Sequence, residues 1–122
     1  MKKVLVVEDS AAVRAMIVSI VETLPDTKCV DAEDGLAALK ALPSEEFDAI
    51  LTDINMPGLT GLELISFVRC HPTYQRIPII IVSTERTDAD RARGLALGAS
   101  DYVVKPFQPN DLERVVRQHL GV

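Results

Sequence analysis

Five short apolar runs, Val4–Val7, Cys29–Val30, Ala49–Leu51, Ile79–Val82 and Tyr102–Val104, alternate with longer stretches of helical period. Most of the runs are continuously apolar, the pattern of parallel strands covered on both faces. The clearest helix carries Val13, Met16, Ile17, Ile20, Val21 and Leu24 at i, i+3, i+4, i+7, i+8 and i+11, with Ser10 placed to cap it. A second starts near Asp34 and carries Leu36, Leu39 and Leu42. A third opens at Thr60-Gly61-Leu62-Glu63, a capping-box spacing, after the breaker Met56-Pro57-Gly58. A fourth, weakly patterned, spans about 86–97 and contains Gly94, with Gly98 as a left-handed stop. The fifth begins near Pro109 and buries Leu112, Val115, Val116 and Leu120. Strict strand–helix alternation predicts an α/β fold, an open parallel sheet with right-handed crossovers and helices on both faces.

The 122 residues suit one domain, without linker, repeat or low-complexity segment. Lys and Arg total 13 against 18 Asp and Glu, a net charge of −5 that argues against a nucleic-acid or membrane-surface partner. No apolar run approaches the roughly 20 residues of a membrane span. The apolar start Val4–Val7 stops at Glu8-Asp9, short of the roughly 7–15 residues of a signal peptide, and reads as a buried strand. Cys29 and Cys70 have neither metal-ligand nor redox-motif spacing, so two reduced core thiols in a cytoplasmic chain are expected. His71 and His119 are expected at the surface. Arg86, Arg91 and Arg93 read as a solvated helix face with Asp88 and Asp90 as intrahelical partners.

The chemistry gathers at the strands' carboxyl ends, where open α/β sheets bind ligands. Strand one ends in Glu8-Asp9, strand three in Asp53, strand four in Ser83-Thr84 and strand five in Lys105-Pro106. One such residue alone is ordinary loop polarity; four polar ends on one rim are a site. Three converging carboxylates repel, and a hard divalent cation such as Mg²⁺ resolves the repulsion through oxygen ligands. With a Lys and a hydroxyl, the set is equipment for handling a phosphoryl group. Asp53, on the central strand, is the best-placed nucleophile, and a carboxylate nucleophile yields an aspartyl phosphate.

Val6-Val7-Glu8-Asp9-Ser10, Leu51-Thr52-Asp53-Ile54-Asn55-Met56-Pro57-Gly58, Ile81-Val82-Ser83 and the run from Gly98 to Phe107 resemble the response-regulator receiver family of two-component signalling. The likeness is strongest to single-domain, CheY-like chemotaxis regulators and covers essentially the whole chain. It implies a flavodoxin-like (βα)5 three-layer sandwich with strand order 2-1-3-4-5, and one receiver domain over residues 1–122 with no output domain. It further implies that Asp53 accepts a phosphoryl group from a phosphohistidine on a sensor histidine kinase. Asp9 and Asp53 would bind Mg²⁺ directly (Mn²⁺ as an alternative ion), Glu8 through water and Asn55 through its backbone carbonyl. Lys105 would pair with the phosphoryl oxygens and Ser83 would donate to them. Tyr102 would be the switch aromatic, and the Lys105-Pro106 bond would be cis. The output would be a protein partner at the face of helix four, strand five and helix five. A monomer is expected, with dimerisation on phosphorylation as an option. Beyond its own phosphorylation and dephosphorylation, no catalysis is implied.

Some positions depart from the commonest family pattern. Ser83 stands where Thr is frequent and keeps the hydroxyl. Thr84 stands where Ala or Gly is frequent, and its bulk is expected to slow access of the phosphodonor. Thr60 replaces a frequent Asp and still caps a helix. Asn55, Thr84 and Glu85 are expected to tune hydrolysis. Motor-binding relatives carry a Lys pair where this chain has Thr87 and Asp88, so motor binding is not implied. Rival readings are a receiver cut from a larger regulator or hybrid kinase and, from another class, an FMN-binding flavodoxin-like protein. Glu8-Asp9 would repel the FMN phosphate. A dehalogenase-type phosphohydrolase would need a general acid where Asn55 stands.

Overall fold

The computed structural model describes residues 1–84 and 88–122, without the side chain of Asp90. Strands β1 (Lys2–Val7), β2 (Thr27–Ala32), β3 (Ala49–Thr52), β4 (Ile79–Ser83) and β5 (Asp101–Val104) alternate with five helices: α1 (Ala11–Val21), α2 (Gly35–Ala41), α3 (Gly61–Cys70), α4 (Asp88–Ala96) and α5 (Pro109–Leu120). A single 3₁₀ turn, Leu42–Ser44, follows α2. The strands form one sheet in the order β2-β1-β3-β4-β5, and every pairing is parallel. This is the expected flavodoxin-like order. It places β1, β3 and β4 centrally, and their apolar residues are buried throughout from Val4 to Val7, Ala49 to Leu51 and Ile79 to Val82.

Alternate strand residues face opposite layers. Val4, Val6, Leu51, Ile80 and Val82 pack with Ile17 and Val21 of α1 and with Leu112, Val116 and Leu120 of α5. Leu5, Val7, Ile50, Ile79 and Ile81 pack on the other side with Ala38 of α2 and with Leu64, Ile65 and Val68 of α3. Each fully buried Leu or Ile contributes about 2 kcal/mol of burial free energy. The two layers therefore hold the sheet edge-on, with its carboxyl rim open.

Local signals in the chain set the helix starts. Ser10, Asp34 and Thr60 each accept a backbone N–H three residues on, and Thr60 with Glu63 completes the capping box. Gly98, at φ 117°, terminates α4, where the Arg69 side chain donates from Nε to its carbonyl (2.8 Å) and from Nη1 to Ile77 O (2.6 Å). Helix α4 is held lightly. Among its described side chains only Gly94 is buried, and a Cβ there would overlap Ile81 Cδ1.

The structure corrects several details. Met16 and Leu36 are exposed; each lies at the margin of its helix's apolar stripe, beyond the reach of the sheet. Leu24 is buried, but from the turn after α1, and Leu42 from the 3₁₀ turn. Val115 is half-buried rather than core. Cys70 is exposed at the end of α3, whereas Cys29 is half-buried. Burial, and then the carboxylates of Glu22 and Asp31, push the Cys29 thiol up to about 12. His71 is half-buried with its ring 4.3 Å from that of Tyr74, and His119, also half-buried, lies 3.1 Å from Asp101 Oδ2. The guanidinium of Arg91 sits 5.5 Å from the centre of the Tyr102 ring, a contact the intrahelical reading did not include. Arg86 lies outside the described residues.

Candidate functional site

Parallel strands in register bring their carboxyl ends to one line. Glu8 follows β1, Asp53 follows β3, Ser83 ends β4 and Lys105 follows β5. The chain is stitched across this line by backbone bonds from Asp53 N to Val7 O (3.3 Å) and from Lys105 N to Ser83 O (2.8 Å). The Lys105–Pro106 peptide is cis, as the resemblance implied.

Glu8 is 1% exposed, Asp53 8% and Ser83 0%, while Asp9 is open to solvent. Burial of unpaired carboxylates is costly, so their partners define the site. Lys105 Nζ lies between two of them, donating to Asp53 Oδ2 at 2.8 Å and to Glu8 Oε1. Asp53 Oδ1 accepts the backbone N–H of Ile54 at 2.6 Å and, more weakly, that of Asn55 at 3.3 Å. Glu8 Oε2 accepts the Ser10 N–H at 2.9 Å. Behind Asp53, Gly61 opens α3 so closely that a Cβ would overlap the Asp53 carbonyl. That approach sets the start of α3 against the loop that follows β3.

The electrostatics are those of an overcharged acidic pocket. Burial raises the Glu8 carboxyl above its ordinary value, although the Lys105 bond and the Ser10 N–H oppose the shift. Burial alone would lower the Lys105 ammonium, but Asp53 and Glu8 outweigh it and hold it above its ordinary value. Glu8, Asp9 and Asp53 each offer a carboxylate oxygen within 4.8 Å of the others. One ammonium against three carboxylates leaves an excess of negative charge. An all-oxygen donor set with one solvent-facing member suits a hard divalent cation that retains waters. The residues present therefore fit Mg²⁺ or Mn²⁺.

The structure brings Glu8, Asp9, Asp53, Ser83 and Lys105 to one rim. Asn55 follows with an exposed side chain, its N–H turned to Asp53. Thr84, also exposed, lines with Val13, Met16, Lys105 and Phe107 an apolar cavity of about 310 Å³ beside the rim. Tyr102 is half-buried and paired in register with Ile81, so it lies on the same sheet face as Ser83, one step below it. Glu85 lies outside the described residues. Two contributors escaped the sequence reading. Gly61 was read only as part of a cap. Arg14, which holds the backbone of Glu8, carried one signal: it is the only charged residue of α1.

Comparison with known proteins agrees with this geometry. The family model for the response regulator receiver domain matches residues 4–117. A chemotaxis protein CheY homolog of Campylobacter jejuni is 38% identical over 120 residues, covering 98% of this chain and 92% of the relative. The structure of Vibrio cholerae CheY4 superposes with a TM-score of 0.91 at 35% identity, covering 98% of this chain and 99% of that one. The receiver domain of a sensor histidine kinase from Pseudomonas aeruginosa PAO1, with a magnesium ion coordinated in its active-site cleft, gives a TM-score of 0.88 at 28% identity, covering 99% and 98%. The acidic rim, the lysine bridging it and these likenesses have one reading: the chain belongs to the response regulator receiver family, as a CheY-like domain of two-component signalling.

Proposed function

We propose that Asp53 is the phosphoryl acceptor of this switch and that a sensor histidine kinase supplies the phosphoryl group. The observation that carries this reading is the Asp53 carboxylate, 8% exposed at the end of the central strand, with Lys105 Nζ 2.8 Å away. An Asp53 oxygen attacks phosphorus, the phosphorus–nitrogen bond of the phosphohistidine breaks, and the electron pair returns to the imidazole. Glu8, Asp9, Asp53 and the carbonyl of Asn55 would hold Mg²⁺, which offsets the charge of carboxylates and phosphoryl oxygens together. Lys105, already between two carboxylates, turns to the phosphoryl oxygens, and the buried Ser83 hydroxyl donates to them. Its shift opens space for Tyr102 on the same sheet face, which reshapes the surface of α4, β5 and α5 for a protein partner. Asn55 borders the path of hydrolytic water, as Glu85, outside the described residues, is expected to do, and the bulk of Thr84 slows entry of the phosphodonor. The exposed Asn55 amide admits that water, so the phosphoryl group is short-lived. The domain turns over no other substrate.

The test is incubation with a small phosphodonor and Mg²⁺, followed by mapping of the modified residue. Modification at Asp53 alone, abolished by EDTA and by Asp53→Asn, is expected. Undiminished labelling of Asp53→Asn would overturn the assignment. Asn55→Arg should lengthen the phosphoryl lifetime, and a lifetime of many hours in the parent would sink the short-lived reading.

A further inference from the structure

Asp9 is the exposed member of the acidic cluster, so its carboxylate is placed mainly by its own backbone. That backbone is fixed one peptide earlier. The Glu8 N–H donates to Ala32 O at 3.0 Å, and the Glu8 carbonyl accepts Arg14 Nη1 at 2.8 Å. The same guanidinium donates from Nε to Asp31 Oδ2 at 3.0 Å. Arg14 thus reaches from α1 across the end of β1 to β2. Its side chain is 18% exposed, against 58% for Asp31, so the fork is largely enclosed while its acidic anchor remains wet.

A guanidinium presents its donors in a rigid planar fork, and a lysine in its place offers a point charge on a flexible stem. Two bonds at fixed angle determine where the Glu8 carbonyl points. The Glu8 N–H ties the preceding peptide to β2 and the Arg14 bond holds the carbonyl of the Glu8–Asp9 peptide, so the two peptides flanking the Glu8 Cα are both anchored, and with them the backbone from which the Asp9 side chain departs. We propose that Arg14 is a positioning residue for the cation-binding loop: it touches neither cation nor phosphoryl group, and acts by orienting the Glu8–Asp9 peptide. This inference rests on the reading of Glu8, Asp9 and Asp53 as cation ligands. Groups that orient metal ligands from behind are worth about tenfold or more in affinity.

The experiment titrates Mn²⁺ by electron paramagnetic resonance against the parent chain, Arg14→Met, Arg14→Lys and Asp31→Asn. It also measures amide hydrogen exchange at Ser10 and neighbouring loop positions in EDTA. Arg14→Met should bind Mn²⁺ about tenfold more weakly, and Arg14→Lys should fall between it and the parent. Asp31→Asn, which keeps the bond to the Glu8 carbonyl, should change affinity by less than about threefold, because its own contact is solvent-exposed. Loop exchange should quicken in Arg14→Met without cation, and saturating Mg²⁺ should restore its phosphorylation rate to within about twofold, since no reacting group has been removed. Parent-like Mn²⁺ affinity in Arg14→Met, with only a lower melting temperature, would overturn the proposal and leave the cation site standing. A parent chain that binds no Mn²⁺ would overturn the cation reading and this proposal with it.

Discussion

Replacing Lys105 by Met removes the ammonium shared by Glu8 and Asp53 and leaves two carboxylates facing each other, 2% and 11% exposed in their side chains. Removing one partner of a buried ion pair costs about 3–5 kcal/mol when the other stays charged. The remaining carboxylates have an escape, because one can take up a proton. For a carboxyl of ordinary value 4.5, protonation at pH 7 costs about 3.4 kcal/mol. That figure is a ceiling on the loss, and Glu8, already raised by burial, brings the expected loss nearer about 2–3 kcal/mol. The sign of the pH dependence follows. A carboxyl whose folded value lies above its unfolded value binds more protons in the folded state, so stability grows as pH falls from neutrality toward 4.5. In Lys105→Met the displacement is larger, and its deficit against the parent should shrink by up to about 1.4 kcal/mol per pH unit. Urea unfolding in EDTA at pH 7.0 and about 5.5 measures this through the shift in midpoint. Added Mg²⁺ should narrow the deficit at pH 7, because the rim of Lys105→Met, without its ammonium, is more negative and binds the cation more tightly than the parent's does. A deficit unchanged by both pH and Mg²⁺ would mean that Lys105 acts through the packing of its stem and that the charge reasoning is wrong.

Gly61→Ala places a methyl group against the Asp53 carbonyl, which is backbone and cannot swing aside, so unfolding free energy should drop by about 1–3 kcal/mol and phosphorylation should slow; a parent-like urea midpoint would refute the contact. Thr60→Ala removes one half of the capping box and should cost about 1 kcal/mol in the same assay, with Thr60→Ser close to parent. With a thiol-reactive disulfide at pH 8, Cys70 should label quickly and Cys29, held at about 12, far more slowly in the folded chain. Equal rates, read by peptide mapping, would contradict the burial of Cys29.

The rim was legible because each of its members lies within two residues of the end of an apolar run, and the parallel register of the strands converts that adjacency into shared location. Asp53, Lys105 and Glu8 needed no other signal. The margins of the apolar stripes were not legible. Met16 continues the period of α1 yet is exposed, because period gives the direction of a face and not its covered width. The lack of metal-ligand or redox spacing favours a core thiol at Cys70, whereas its place at the last turn of α3 exposes it. Contacts that bridge elements were hidden for a different reason. Arg14 meets Glu8 and Asp31, and Arg91 meets Tyr102, only after helices settle on the sheet; nothing in the local order of residues encodes either distance.

The shallow seat of α4 has a consequence for how such a switch can change over generations. Helix α5 commits Leu112, Val116 and Leu120 to the interior, so substitutions there are constrained by folding. Helix α4 commits little beyond a bare glycine, and its described side chains from Asp88 to Ala96 otherwise face outward. Most exchanges on that helix alter stability by no more than about 0.5 kcal/mol. On the proposed output face, recognition can therefore be rewritten by drift without disturbing the carboxyl-end rim. A gene duplicate of this chain could acquire a new listener, and lose the old one, through a handful of surface changes that leave its rim untouched.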